Sequence, residues 1–412
     1  MPREMKDSGI EWIGEIPAEW KIIRFKFLHN GMNTGESIDK EYWSDDEKDT
    51  VFYTAGLLPI YTSYQDFPEW KYTNGNDLLL ARNGTPYVYY PVINACYTDH
   101  IIRAEMKADI NRKFVKYGLQ QSISSVIVNQ VSIATWSASL WNEQTIPWAP
   151  LSEQQKISAH LDIECAKIDD VITKTKATIE EYKKLKQSVI TEAVTKGIRL
   201  NREMKDSGIE WIGEIPTEWN VVRVKNLFDY RNEKNFKPLN EVNLISLYTD
   251  LGVVQHCDLE ATTGNKASNA DGYKLVFEDD IVVNIILCWM GAIGRSAYTG
   301  VTSPAYDVYS PKAGTNSKFY HHLFRTQGFN GDCYKVGRGI MAMRWRTYSD
   351  QFRAIKVVAP PKSEQEEIVA YLDKKCSEID TLIARKEQIV TELESYKKSL
   401  IYEYVTGKKE VV

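Results

Sequence analysis

The chain contains the same framework twice. Arg3 to Trp20 reads REMKDSGIEWIGEIPAEW and Arg202 to Trp219 reads REMKDSGIEWIGEIPTEW, differing only at Ala18 against Thr217. A second pair, Leu151 to Ile157 (LSEQQKI) and Lys362 to Ile368 (KSEQEEI), continues through Leu161-Asp162 and Leu372-Asp373 to Ile168-Asp169 and Ile379-Asp380. The offset is about 199 positions for the first pair and about 211 for the second, so the later half carries about a dozen more residues between its framework segments. Such a chain must fold as two related halves. The blocks between, Lys21 to Ala149 and Asn220 to Pro360, share little beyond strand-and-turn character. Near-identity beside divergence points to a partner surface used twice or to recombination through the repeats. A simple duplicated fold is the plainer alternative.

The segments after each proline-marked junction read as helices. Leu161, Ile168, Thr175, Tyr182 and Val189, with Cys165, Ile172, Ile179, Lys186 and Ala193, keep a seven-residue spacing. Leu372, Ile379, Lys386, Leu393 and Leu400, with Cys376, Ile383, Val390, Lys397 and Tyr404, repeat it in register. Two matching apolar stripes flanked by Lys and Glu predict helices that pack as a coiled coil, each about 60 Å long for about 40 residues. Packing of each helix on its own domain is the alternative. Ser152 and Ser363 are the expected N-caps, and Gly197 and Gly407 the expected stops.

The divergent blocks predict mixed α/β domains. Short β-prone runs (51–53, 77–81, 242–246, 280–283) are punctuated by glycine turns, with helices expected around 111–121 and 317–327. The architecture expected is therefore α+β: two mixed α/β domains joined by two long antiparallel coiled-coil helices, with an internal pseudo-twofold repeat. Its parts are a first domain at 1–150, a central helix at 151–198, a second domain at 199–361 and a C-terminal helix at 362–412.

Composition fits folded domains: 43% of residues are apolar, 26% charged and 11% aromatic. The most apolar run, Ile281 to Met290, is too short for a membrane span, and no signal peptide is visible, so a cytoplasmic protein without membrane contact is expected. The six cysteines lack CxxC pairing and read as reduced thiols. His321-His322 has no partners at metal-ligand spacing and reads as a surface pair.

Enzymatic machinery is missing from the sequence. No GxxxxGK[ST] loop, dinucleotide fingerprint or Asn/Asp-Pro-Pro-aromatic motif occurs, and the acidic clusters at 45–47 and 278–280 read as solvated loops. No catalytic or metal-binding residue is assigned. A nuclease or methyltransferase with an unfamiliar site, or a coiled-coil scaffold binding only proteins, remain the rival classes.

Nucleic-acid binding has both support and difficulty. The net charge of −5 is awkward for a phosphate binder, but Lys318 to Lys356 collects Lys318, Arg325, Lys335, Arg338, Arg344, Arg346, Arg353 and Lys356 against Asp332 and Asp350. The first domain shows no such excess by counting. Arginine can fork to guanine O6 and N7, and asparagine to adenine. The candidate DNA contacts are therefore Arg82, Asn83 and Thr85 in the first domain, beside Tyr87, Tyr89 and Tyr90 that read as core. In the second they are Lys335, Arg338, Arg344 and Arg346.

The order DSGIEWIGEIPxEW, divergent block, then SEQ(Q/E) helix, given twice, resembles the specificity subunit of Type I restriction-modification systems over nearly the whole chain. The resemblance implies a non-catalytic subunit whose two target recognition domains each read half of a bipartite, asymmetric double-stranded DNA target. Antiparallel conserved helices would act as a ruler and dock two methyltransferase subunits. Restriction subunits would join for cleavage, and S-adenosylmethionine, ATP and magnesium would belong to those partners.

Overall fold

The structure is a computed structural model, and it describes residues 3–83, 86–129, 135–256, 269–339 and 345–411, the side chains of 125–129 excepted. Its helices are α1 Arg112–Asn129, α2 Ala138–Glu143, α3 Leu151–Lys196, α4 Val224–Leu227, α5 Ser317–Phe324, α6 Gln327–Val336, α7 Ser349–Ala354 and α8 Lys362–Val405. Contacts divide the chain into two compact units: Met1–Lys176 with Gln388–Val412, and Ala177–Glu387.

The first unit holds an antiparallel four-stranded sheet ordered His29–Thr34, Ile101–Met106, Asp77–Ala81, Val88–Tyr89. Asp77–Ala81 is buried along its whole length because it lies inside the sheet with both faces covered. Leu78 and Leu80 pack with Val115 and Leu119 of α1, while Leu79 and Ala81 face Tyr53, Tyr89 and Tyr97 on the other side. That alternation is the period-two geometry of a strand.

The second unit repeats the sheet in the same order: Phe228–Arg231, Tyr306–Pro311, Ile281–Asn284, Ile293–Arg295. Two further pairings also recur. Lys21–Arg24 joins Thr145–Trp148 as Asn220–Arg223 joins Lys356–Ala359, and the repeat motif folds as Met5–Asp7 on Glu15–Pro17 and as Met204–Asp206 on Glu214–Pro216. The blocks that look unlike in sequence thus share a topology. Their difference lies in the added strands: one mixed four-stranded sheet through Thr50–Tyr53 in the first unit, and two separate hairpin-like pairs in the second.

Within each unit the long helices run antiparallel. In the first, Lys397 pairs with Asp169 at 2.6 Å and Lys176 with Glu394 at 3.2 Å; in the second, Lys186 pairs with Asp380 at 2.7 Å. Lys186–Asp380 and Lys397–Asp169 occupy equivalent repeat positions, so these two of the three lysines that interrupt the apolar stripe are matched by carboxylates on the facing helix. Every stripe position is buried or half-buried, including Leu161 and Leu372 at 0% exposure.

Some sequence expectations shift. Both long helices begin one residue before the expected serine caps. Pro150 and Pro361 stand at the boundary, their carbonyls accepting from Glu153 and Gln154 and from Glu364 and Gln365, so Ser152 and Ser363 lie in the first turn. Gly197 and Gly407 follow the helix ends with φ of 77° and 72°. The helix expected over 317–327 is two helices, because the Thr326 hydroxyl accepts from the Phe329 amide and starts α6 anew. The strand expected over 242–246 runs from Ile245 to Tyr248.

Candidate nucleic-acid interface

The repeat motif clasps the long helices in the same way in both units. Trp20 Nε1 donates to Glu153 at 2.7 Å, and Arg3 donates to the same carboxylate at 2.8 Å. Trp219 Nε1 donates to Glu364 at 3.0 Å, and Arg202 pairs with it. Each tryptophan also meets a helix end: a Cβ on Gly407 would lie 3.0 Å from Trp20, and one on Gly197 would lie 3.3 Å from Trp219. Glycine is needed there for the positive φ and for the close approach. The motif is held by the start of one long helix and the end of the other.

Helices α1 and α5 join the same clasp. Asn111 caps α1 through the Phe114 amide at 3.0 Å, and Asn316 caps α5 through the Lys318 amide at 3.0 Å. Lys113 pairs with Asp162 as Lys318 pairs with Asp373, and Phe114 meets Trp20 edge-on as Phe319 meets Trp219. Behind these contacts lies a short repeat, Asn111-x-Lys113-Phe114 and Asn316-x-Lys318-Phe319, that the sequence reading missed. Four positions with one free are too few to stand out without the fold.

The candidate DNA contacts occupy equivalent corners. In the first unit the backbone of Arg82 is pinned on both sides, its amide donating to His100 O and its carbonyl accepting from Trp136, while its side chain is exposed. The Asn83 amide reaches His100 Nδ1 at 2.6 Å. Thr85 lies outside the described residues. In the second unit Thr347 donates to Ile285 O, the counterpart of the Trp136–Arg82 bond. Here Arg338 and Arg346 face each other as an antiparallel bridge with amide bonds of 2.8 and 2.9 Å. Arg344 lies outside the described residues.

A ladder of aromatic rings supports this bridge. Trp345 stacks on Tyr334 at 5.0 Å and donates to its carbonyl, and Tyr334 rests on Trp289 at 5.6 Å. Lys335 stands apart from the arginines, its ammonium 3.2 Å from Glu210 of the repeat motif.

The basic stretch 318–356 does not form one face. Arg325 is wrapped by the carbonyls of Thr249, Asp250, Gly291 and Ile293, and Lys318 turns to Asp373. Burial holds Arg325 below its ordinary range. A structural guanidinium contributes nothing to a phosphate footprint. His321 and His322 are half-buried rather than fully exposed, and both line a cavity of about 440 Å³ between α5 and the helix pair. Burial lowers their pKa to about 3 and about 4, and His321 Nδ1 accepts from the Arg295 amide. In the acidic cluster 278–280, Asp280 is buried rather than solvated, bound by Arg231 at 2.9 Å and by the Phe277 amide. The tyrosines divide: Tyr89 is core, while Tyr90 is exposed under the Arg112 guanidinium.

Among the described residues no group of three His, Cys, Asp or Glu side chains could hold a metal, and no helix is long and apolar enough to cross a membrane. The described chain thus holds two copies of one sheet-and-clasp unit, each presenting a pinned corner with unlike polar side chains.

Residues 216–392 match the family model described as the Type I restriction modification DNA specificity domain. A putative type I restriction enzyme MjaX specificity subunit from Methanocaldococcus jannaschii is 25% identical over 97% of this chain and 96% of its own length. The MjaVIII specificity subunit of the same organism is 25% identical over 54% of this chain and 52% of its own. In fold, the chain is similar to one from a solved type I R-M system studied for complex assembly and conformational transition, with a TM-score of 0.67, 14% identity, and coverage of 96% and 99% of the two chains. Residues 216–392 therefore carry the match to the Type I restriction modification DNA specificity domain, and over nearly its whole length the chain is similar to a Type I specificity subunit.

Proposed function

We propose that the chain reads a bipartite, asymmetric DNA target, with residues 21–149 and 220–360 each taking one half-site, and that its two repeat-and-helix clasps dock two methyltransferase subunits. The observation that carries this reading is the duplicated unit whose equivalent corners bear different side chains, Arg82 and Asn83 in one and Arg338 and Arg346 in the other. A shared frame offers equivalent surfaces to two copies of one partner. Unlike corners offer different hydrogen-bond patterns to two base sequences. Restriction subunits join this assembly for cleavage, and S-adenosylmethionine, ATP and magnesium act in the partner subunits.

Exchange of block 220–360 for its counterpart from another specificity subunit tests the reading. Methylation mapping in cells carrying the complete system is expected to show one half-site changed and the other kept; a change in both halves disproves independent readers. On the same assay, Arg338→Ala and Arg346→Ala are each expected to weaken discrimination at one half-site by about 1–3 kcal/mol, roughly 5- to 150-fold. Unchanged selectivity in both variants removes these arginines from the interface.

A further inference from the structure

The first domain lacks a basic stretch in sequence, but its fold builds one. A cleft of about 720 Å³ in the first unit runs between α1 and the long-helix pair, with Lys113 and Lys116 on one wall and Lys176, Lys397 and Lys398 on the other. Three of these ammonium groups are neutralised: Lys113 by Asp162, Lys176 by Glu394 and Lys397 by Asp169. Lys116 and Lys398 have no ion pair among the described residues. Burial lowers the Lys116 pKa, so its charge is held in the cleft at a desolvation cost that a bound anion would offset.

The second unit serves as an internal control. At the equivalent positions it keeps the paired cations Lys318 and Lys186, yet in its cavity His321 stands where Lys116 would be and Gln187 where Lys398 would be. His321 is neutral there at ordinary pH. The fold therefore does not require the two unpaired charges. They are confined to the unit that otherwise lacks a basic surface.

The cleft also adjoins the candidate reading turn. Tyr87, which follows that turn and whose carbonyl accepts from the Ala81 amide, lines it together with Tyr90, and Gln120 of α1 accepts from the Val88 amide. Contacts to phosphate set register and orientation, while base contacts specify sequence. We infer that this cleft is the phosphate-backbone site of the first recognition domain, with Lys116 and Lys398 as its ligands to duplex DNA beside the Arg82-Asn83 corner. The inference rests on the DNA-reading function proposed above.

The test is the salt dependence of binding by the chain assembled with its methyltransferase subunits, using a duplex carrying the mapped target, over about 50 to 200 mM salt. Each phosphate contact contributes about 0.9 to the slope of log K against log salt. The Lys116→Gln, Lys398→Gln double variant is expected to flatten that slope by about 2 while both half-sites are still chosen correctly, and Lys116→Arg with Lys398→Arg to restore it. Lys398 is exposed, so Lys398→Gln alone, expected to flatten the slope by about 1, gives the same reading without disturbing packing. An unchanged slope with selective methylation intact overturns the cleft but not the DNA-reading function. Lost selectivity at an unchanged slope overturns it equally, since the lysines would then act on the shape of the reader. Absence of salt-dependent DNA binding by the unmodified assembly overturns the function itself.

Discussion

Glu364→Ala is expected to destabilise the second unit by about 3–5 kcal/mol, the cost of leaving a buried charge without its partner. The Glu364 side chain is 3% exposed and serves two buried donors, the Arg202 guanidinium, itself 10% exposed, and Trp219 Nε1. Its removal leaves Arg202 with Glu218 alone, at 3.2 Å, and the fully buried Trp219 with no acceptor. The bond from Glu364 is also the main cause holding Arg202 above its ordinary pKa once burial is offset. The equivalent change in the first unit, Glu153→Ala, is expected to cost about 1–2 kcal/mol. Glu153 is 34% exposed, so water can replace it at Trp20, and Arg3 keeps Glu19 and Glu410. Urea unfolding of the two variants checks this contrast. Equal losses would show that the clasps are alike in energy as well as in connectivity.

Acid is expected to weaken the second unit through its buried histidines. His321 and His322 have folded pKa values of about 3 and about 4 against 6.5 for the free side chain, because burial disfavours the cation and Arg325, Arg295, Lys186 and Lys318 add repulsion that Asp373 only partly offsets. Both are depressed bases, so the unfolded chain binds the extra protons. Their contribution is fully present above pH 6.5 and is lost as pH falls from there toward 4 for His322 and 3 for His321. At about 1.4 kcal/mol per pH unit, each histidine accounts for roughly 2 kcal/mol lost at pH 5. Stability measured from pH 7 to 5 should fall more steeply in the native chain than in the His321→Gln, His322→Gln variant. Parallel curves would place both rings in contact with solvent.

Local and periodic features were legible in the sequence. The heptad stripes announced the long helices because side chains a helical turn apart must share a face, and the same positions are buried in the structure. The buried run Asp77–Ala81 and the glycine stops were legible for the same reason: burial on two faces and a left-handed residue each restrict composition at single positions. Each helix starts one residue before the expected serine because the carbonyl of the preceding proline accepts the first amides, which places the serine in the first turn.

Other features depend on residues distant in the chain. His321-His322 read as surface because no partner is near in sequence, yet the long helices and the strand Ile293–Arg295 enclose the pair. Arg325 counted as a free cation until four carbonyls from two other loops were seen around it. Counting also hid the lysines of the first unit, which come from three separate helical segments and only two of which lack a carboxylate.

By itself the sequence determined that the chain has two halves, that each ends in a long amphipathic helix, and which family it resembles, since a repeated motif and a helical period can both be read along the chain without knowing its contacts. Only the tertiary structure decided that each repeat motif is clasped by the beginning of one helix and the end of the other, and which lysines find a carboxylate. Those outcomes depend on contacts such as Trp20 with Glu153 and Gln121 with the Lys398 carbonyl, between residues more than a hundred positions apart, where no local pattern constrains the partner.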